Sequence, residues 1–335
     1  MPTISIIIPC YRSEQTLPAV VDRVRAAVAA EPDYRYQIIL INDRSPDNVW
    51  DVITALAAAD PGILGIDLAK NFGQHAAILT GMRYAEGDYI ACLDDDGQTP
   101  PEELFKLIRP LEDGQDVVFA KYTGKRQSGF RRFGSAVNDR MARFMLGKPK
   151  ELAIMSYFAC KRFIAKEVCR YPHAYPYVAG LLLRATDRAV NVEVTHRERL
   201  AGRSGYTFGK LLALWLNGFT AFSIKPLRIA TVLGTVTALA GFGYGGYVII
   251  NKLLGGTAPL GWSATMAALL FIGGMLMLLL GLVGEYVGRI YLSINNTPQA
   301  VVRQMANEDG GTAVGAGLVS ALPEDQMTVE DGEEE

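Results

Sequence analysis

Three consecutive carboxylates, Asp94, Asp95 and Asp96, stand between an apolar run, Tyr89 to Leu93, and the turn-forming Gly97-Gln98-Thr99-Pro100-Pro101. Like charges a few Å apart resist joint ionisation, so such a triplet is costly unless a cation neutralises it. A hard divalent ion with oxygen ligands resolves the conflict, with Asp96 gripping a metal that bridges a diphosphate. The plainer reading is a solvated acidic turn in which Asp96 or Thr99 caps the following helix. Neighbouring turns favour chemistry. Pro9-Cys10-Tyr11-Arg12 combines a stiff turn with an aromatic face on which a base can stack. Asp43, within Asn42-Asp43-Arg44-Ser45-Pro46-Asp47, can accept from a base N–H. Taken singly, Tyr11 is as readily packing and Asp43 a turn former.

These turns follow strand-like runs. Ile4–Ile8, Gln37–Ile41, Leu64–Leu68, Tyr89–Leu93 and Asp116–Ala120 read as strands, separated by helical stretches near Glu14–Ala30, Asn48–Ala59, Gln74–Ala85 and Glu102–Leu111. Such alternation implies an α/β fold with a mostly parallel sheet covered on both faces. Ligands of such sheets bind beyond the carboxyl ends of the strands, where the polar turns fall, together with Lys70-Asn71-Phe72-Gly73-Gln74-His75. One shared pocket is expected. No Gly-x-Gly-x-x-Gly or Walker-type loop follows the first strand, which disfavours an ordinary dinucleotide or P-loop site.

Basic residues gather in two places. Residues 121–146 carry Lys121, Lys125, Arg126, Arg131, Arg132, Arg140 and Arg143 among aromatics. They form either a solvated helix face or a cationic rim that meets phosphate. Thr195 to Tyr206 contains Arg197, Arg199, Arg203 and Ser204, with Gly202 and Gly205 to bend it, and can close over a phosphate. His75, His173 and His196 are scattered and read as structural, with no Ser-His-Asp set in view.

The 335-residue chain is half hydrophobic, with a net charge of -2 that rules out a global basic field for nucleic acid. Its four cysteines, Cys10, Cys92, Cys160 and Cys169, lack metal-ligand spacing and suit a reducing compartment. No signal peptide is read at the N-terminus. Residues 206–226 read as an interfacial amphipathic helix on the bilayer. Between Arg228 and Lys252 there is no charge, and Ile229–Ile250 is long enough, at about 1.5 Å per residue, to cross a core of about 30 Å. A second span is read at residues 262–288, after a short Gly- and Pro-containing connection, so 227–292 would form a transmembrane hairpin. Lys225, Arg228, Arg289 and Arg303 flank its outer ends against Lys252 in the loop, which predicts a multi-pass protein of the inner or plasma membrane whose catalytic domain (1–205) and C-terminus are cytoplasmic. Glycines in both spans permit close packing and a homo-oligomer, a tetramer included. Residues 293–335 read as a largely disordered acidic tail.

Together, Pro9-x-Tyr11, Asn42-Asp43-x-Ser45-x-Asp47, Asn71-Phe72-Gly73-Gln74, Asp94-x-Asp96-x-Gln98-x-Pro100-Pro101-Glu102 and Gly284-Glu285-Tyr286-Val287-Gly288-Arg289-Ile290-Tyr291 resemble the family 2 glycosyltransferases that load sugars onto polyprenyl phosphates. That family takes in dolichol-phosphate mannose synthase and bacterial undecaprenyl-phosphate glucose and aminoarabinose transferases. The resemblance spans residues 3–300. It implies a GT-A domain followed by interfacial helices and two spans, and transfer of a sugar with inversion from a nucleotide sugar, UDP-linked by preference, to polyprenyl (undecaprenyl) phosphate. By resemblance Asp96 and Gln98 bind Mg²⁺ or Mn²⁺ with the donor diphosphate, and Asp94 contacts the donor sugar or orders the site. Pro9, Tyr11 and Asp43 hold the nucleobase, and Arg199 and Ser204 lie on the loop that meets phosphates. The chain departs from the pattern at Gly205, where relatives often have Lys and Arg203 can supply the charge, and near Glu151, where a carboxylate is absent or shifted. A second reading is direct transfer to a lipid or polysaccharide hydroxyl, which needs a carboxylate base.

Overall fold

The computed structural model describes residues 1–123, 152–173, 176–195, 225–254, 261–294, 298–307 and 312–314. Its strands form one sheet with helices on both faces. The N-terminal elements alternate: β1 (Thr3–Cys10), α1 (Leu17–Ala29), β2 (Arg35–Asn42), α2 (Val49–Ala59), β3 (Ile63–Leu68), α3 (Gln74–Arg83), β4 (Tyr89–Cys92), a 3-10 turn (Pro101–Glu103), α4 (Leu104–Glu112) and β5 (Val117–Thr123). Then come β6 (Phe158–Lys161), α5 (Arg162–Cys169), α6 (Val178–Ala185), β7 (Ala189–Thr195), α7 (Lys225–Leu253), α8 (Trp262–Ile294), β8 (Val302–Ala306) and β9 (Thr312–Val314). The sheet order is β7-β5-β6-β4-β1-β2-β3-β8-β9. β1 pairs in parallel with β2 and β4, and β2 with β3, while β6 and β8 run antiparallel to their neighbours.

β1 shows why the sheet is sandwiched. Its β-branched run is buried almost throughout, with Ile4, Ile6 and Ile8 packing into one core and Ile7 into the other. A strand that is apolar at consecutive positions has no solvated face. Val20, Val21 and Val24 of α1 and Leu104, Leu107 and Ile108 of α4 cover the first face, and Ala77, Ile78 and Leu79 of α3 with Leu181 and Leu182 of α6 cover the second.

The expected strands and helices are present, with shifted ends. α1 starts at Leu17 rather than Glu14 because the Ser13 carbonyl accepts from the N–H groups of Thr16 and Leu17, closing a turn ahead of the helix. The larger difference lies at the C-terminus. Residues 293–335 were expected to be a largely disordered tail, but Val302–Ala306 is a strand on the edge of β3, with Met305 and Ala306 buried. The Gln299 side chain pins the approach: Arg83 donates to its Oε1, and its amide donates to the carbonyls of Tyr171 and His173. The physical reason is that β3 would otherwise present an unpaired edge.

Both expected membrane segments are helical, α7 and α8. Among the described residues one stretch is long and apolar enough to cross a membrane, Phe271–Gly288 within α8, with mean hydropathy 1.8 and none of it buried. In α7 the glycines and threonines dilute the apolar run, and its large side chains, Val236, Leu239, Tyr244 and Ile250 among them, are exposed. The interfacial helix expected at 206–226 lies outside the described residues up to residue 224.

Candidate active site

The pairing of β1, β2 and β4 brings their carboxyl ends side by side. Ile7 sits opposite Cys92, and Cys10 opposite Asn42. The Leu93 N–H donates to the Ile7 carbonyl at 3.0 Å and the Asp43 N–H to the Cys10 carbonyl at 3.2 Å. The turns after these strands, which carry Tyr11, Asp43 and the acidic triplet, therefore share one edge, as expected.

The triplet divides its work. Asp95 is turned toward the turn after β1: its Oδ2 accepts from the Tyr11 N–H at 2.9 Å, and its carbonyl accepts from the Thr16 hydroxyl at 2.7 Å. Burial, with the charges of Asp94 and Asp96, pushes its carboxyl up to about 6, against the Ser13 hydroxyl and the Tyr11 N–H. Asp94 Oδ1 accepts from the Gln74 amide at 2.9 Å, and Oδ2 accepts from the Ser156 hydroxyl. Asp96 Oδ1 accepts from the Gln98 N–H at 3.0 Å, a tight turn that leaves the Gln98 side chain partly exposed. Asp95 is thus a strut between two turns, a role the sequence did not assign.

Asp43 is buried, and its two oxygens accept from the N–H groups of Phe72 at 2.7 Å and Gly73 at 2.9 Å. Burial raises its carboxyl above the ordinary range, opposed by those two donors. It therefore anchors the Asn71–Gly73 turn ahead of α3, a duty the sequence did not suggest. A carboxylate has about four lone-pair sites, so two acceptor positions remain. Gly73 takes φ of 91°, where a side chain would be strained. Pro9 lies within β1 opposite Ile41. The Tyr11 ring is 46% exposed at the strand end, with the Arg12 guanidinium 5.6 Å from its centroid. Arg12 and Arg44, each just past a strand, have φ of 59° and 52°. Such strain in non-glycine residues gathers at functional edges. The Arg12 N–H donates to the Ser45 hydroxyl, and Asp47 accepts from the Ser45 hydroxyl and the Glu14 N–H, so the first two turns are locked together. Cys10 and Cys92, buried just behind, have thiols pushed well up by burial and are inert.

The side chains expected to hold a metal, the Asp96 carboxylate and the Gln98 amide oxygen, are of the kind that suits a hard divalent ion. Among the described residues no three His, Cys, Asp or Glu side chains converge as a closed cage. An ion here would fill its shell from substrate phosphate and water, the habit of Mg²⁺ and its kin at phosphate sites.

A cleft of about 250 Å³ opens two strands away, lined by Arg44, Asp47, Asp67, Arg303 and Gln304 among others. The acidic turn is not part of it. Asp67 is spent there on structure, accepting from Asn42 and from Gln304 of β8. Arg131, Arg199, Arg203, Ser204 and Glu151 lie outside the described residues. Ser156 and Asn191 were missed in the sequence. Asn191 clamps the segment ahead of β6 that delivers Ser156, accepting from the Ala153 N–H at 2.6 Å and donating to the Ala153 and Phe119 carbonyls. Neither residue belongs to a local motif; only pairing across the sheet reveals them.

Comparison with known proteins adds a sequence relationship to this geometry. The model for glycosyl transferase family 2 matches residues 5–169, and that for the GtrB C-terminal hairpin matches residues 225–290. The chain is 34% identical to the undecaprenyl-phosphate 4-deoxy-4-formamido-L-arabinose transferase of Serratia proteamaculans, over 91% of this chain and 94% of that one. It is 31% identical to the SfII prophage-derived bactoprenol glucosyl transferase of Shigella flexneri, over 90% and 97%. Among solved structures it is similar to glucosyl-3-phosphoglycerate synthase of Mycobacterium tuberculosis, at 19% identity and a TM-score of 0.49 over 70% and 79% of the chains.

Proposed function

The chain belongs to glycosyl transferase family 2, and on that footing we propose that it moves a sugar from a UDP-linked donor to undecaprenyl phosphate, with inversion at the anomeric carbon. The observation that carries this reading is the shared edge of β1, β2 and β4, which gathers Tyr11, Asp43, Asp94 and Asp96 in a chain whose residues 225–290 match the GtrB C-terminal hairpin. The named acceptors of its relatives, undecaprenyl phosphate and bactoprenol, supply the lipid.

In this account the nucleobase stacks on Tyr11 beside Pro9 and donates to the remaining acceptor positions of Asp43. Asp96 and Gln98 hold Mg²⁺ or Mn²⁺, which when bound neutralises the departing diphosphate. Asp94 faces the donor sugar. The lipid phosphate oxygen bonds to the anomeric carbon as the bond to UDP breaks, and UDP leaves with the electron pair. A phosphate monoester has a second pKa of about 6, so the acceptor is largely dianionic at neutral pH and needs no strong base. Arg131, Arg199, Arg203 and Ser204 are assigned to bring that dianion beside a second anion. Direct transfer to a hydroxyl needs a carboxylate base, whereas Asp94, with one neutral donor on each oxygen, is held to orient a partner and not to take a proton.

The test is transfer of labelled sugar from UDP-glucose, UDP-galactose and UDP-N-acetylglucosamine to undecaprenyl phosphate by the full chain in detergent, with Mg²⁺, with Mn²⁺ and with chelator. Asp96→Ala is expected to lower turnover on the order of 100-fold or more, the usual loss when a charge-stabilising group is removed. Unchanged turnover in that variant would remove the metal from the account.

A further inference from the structure

Among the described residues, the Asp94 carboxyl is held by side chains from two other elements. Gln74 is the first residue of α3, and its amide donates to Oδ1 at 2.9 Å. Ser156 precedes β6, and its hydroxyl donates to Oδ2. Each donor is itself fixed from behind. Gln74 follows the Phe72–Gly73 turn, whose N–H groups are gripped by buried Asp43. Ser156 lies between Ala153, clamped at both N–H and carbonyl by Asn191, and fully buried Tyr157, whose hydroxyl donates to the Pro100 carbonyl just past the acidic turn.

A carboxylate on a turn ordinarily samples several χ1 and χ2 settings. Two donors on opposite oxygens select one setting, and donors that are themselves braced lose little entropy in doing so. Both donors are neutral, and between them they fix the plane of the Asp94 carboxyl. We infer that Gln74 and Ser156 are positioning residues that fix Asp94 in the orientation that recognises the sugar of the donor. The inference rests on the reading of this edge as a nucleotide-sugar site, and it assigns the pair to the sugar half of the donor and not to the nucleotide half.

That division is measurable. Titration calorimetry on the full chain in detergent with Mn²⁺ would compare UDP with the tightest of UDP-glucose, UDP-galactose and UDP-N-acetylglucosamine. Gln74→Ala and Ser156→Ala are expected to bind UDP within about twofold of wild type and the UDP-sugar on the order of 10-fold more weakly, the scale typical of supporting groups around a site. Ser156→Thr, which keeps a hydroxyl, restores sugar affinity. Gln74→Glu, equal in size but a like charge against Asp94, is worse than Gln74→Ala, the opposite of what a space-filling role gives. Melting temperatures establish that each variant is folded. The inference is overturned if UDP and UDP-sugar weaken together, if neither changes, or if the wild type binds the UDP-sugars no more tightly than UDP. Absence of transfer to undecaprenyl phosphate by the wild type would count against the proposed reaction alone, since the binding difference is read without it.

Discussion

At the scale of single residues, the acidic turn works because its three carboxylates do different things. Asp95 is a strut and Asp94 is braced, and Asp96 is the carboxylate we assign to the ion and its diphosphate. This division relieves the repulsion that makes three adjacent charges expensive. His75, beside Gln74, is the opposite case: burial pushes its imidazole down to about 4, its Nδ1 has no hydrogen-bond partner among the described residues, and its ring meets Tyr177 edge-on at 5.1 Å. The folded chain holds it neutral, whereas the unfolded chain takes up a proton below about 6.5. Folding stability therefore falls as pH drops from about 6.5 toward 4, and this contribution is absent from His75→Phe, which keeps the ring contact and cannot be protonated. Melting temperatures in detergent from pH 7 to pH 4.5 should show a shallower decline in that variant than in wild type. Parallel curves would mean that His75 is protonated in the folded protein as readily as in the unfolded one.

At the scale of elements, what local pattern predicts and what it misses divide along physical lines. Strands such as β1 and helices such as α4 carry their period within a dozen residues, and polar turns announced the shared edge before any pairing was known. Ser156 meets Asp94 across 62 residues of separation and Gln304 meets Asp67 across 237. No local signal marks such partners, because the contact exists only once the sheet is built. β8 was missed for a related reason: Val302-Arg303-Gln304-Met305-Ala306 is short, with two polar residues among its five, and Met305 and Ala306 become buried only once it pairs with β3. Gln299 tests whether this segment belongs to the catalytic domain. Removing its side chain takes away two part-buried hydrogen bonds to the carbonyls of Tyr171 and His173, at a cost of about 0.5–1.5 kcal/mol each. Gln299→Ala should lower the unfolding midpoint of the full chain accordingly, and an unchanged midpoint would make β8 a loosely applied strap.

At the scale of the whole molecule, the proposal asks a soluble donor and a lipid acceptor to meet at one sheet edge beside a membrane. If α7 crosses as well as α8, residues 1–205 and the C-terminus share one side of the membrane. A phosphatase fused in the 255–260 connection should then be active, and a fluorescent protein fused after Glu335 should glow in the cytoplasm; phosphatase activity at the C-terminus would instead mean one crossing. The central claim is that the acceptor is a phosphate already ionised, so that no residue need act as a strong base. The most direct measurement offers the purified full chain one UDP-sugar with either undecaprenyl phosphate or undecaprenol, and follows the phosphate reaction from pH 5 to pH 8. The account predicts a sugar-phosphate lipid, no product with the alcohol, and a rate that rises through about pH 6 and then levels, following the second ionisation of the acceptor. Comparable transfer to the alcohol would contradict it.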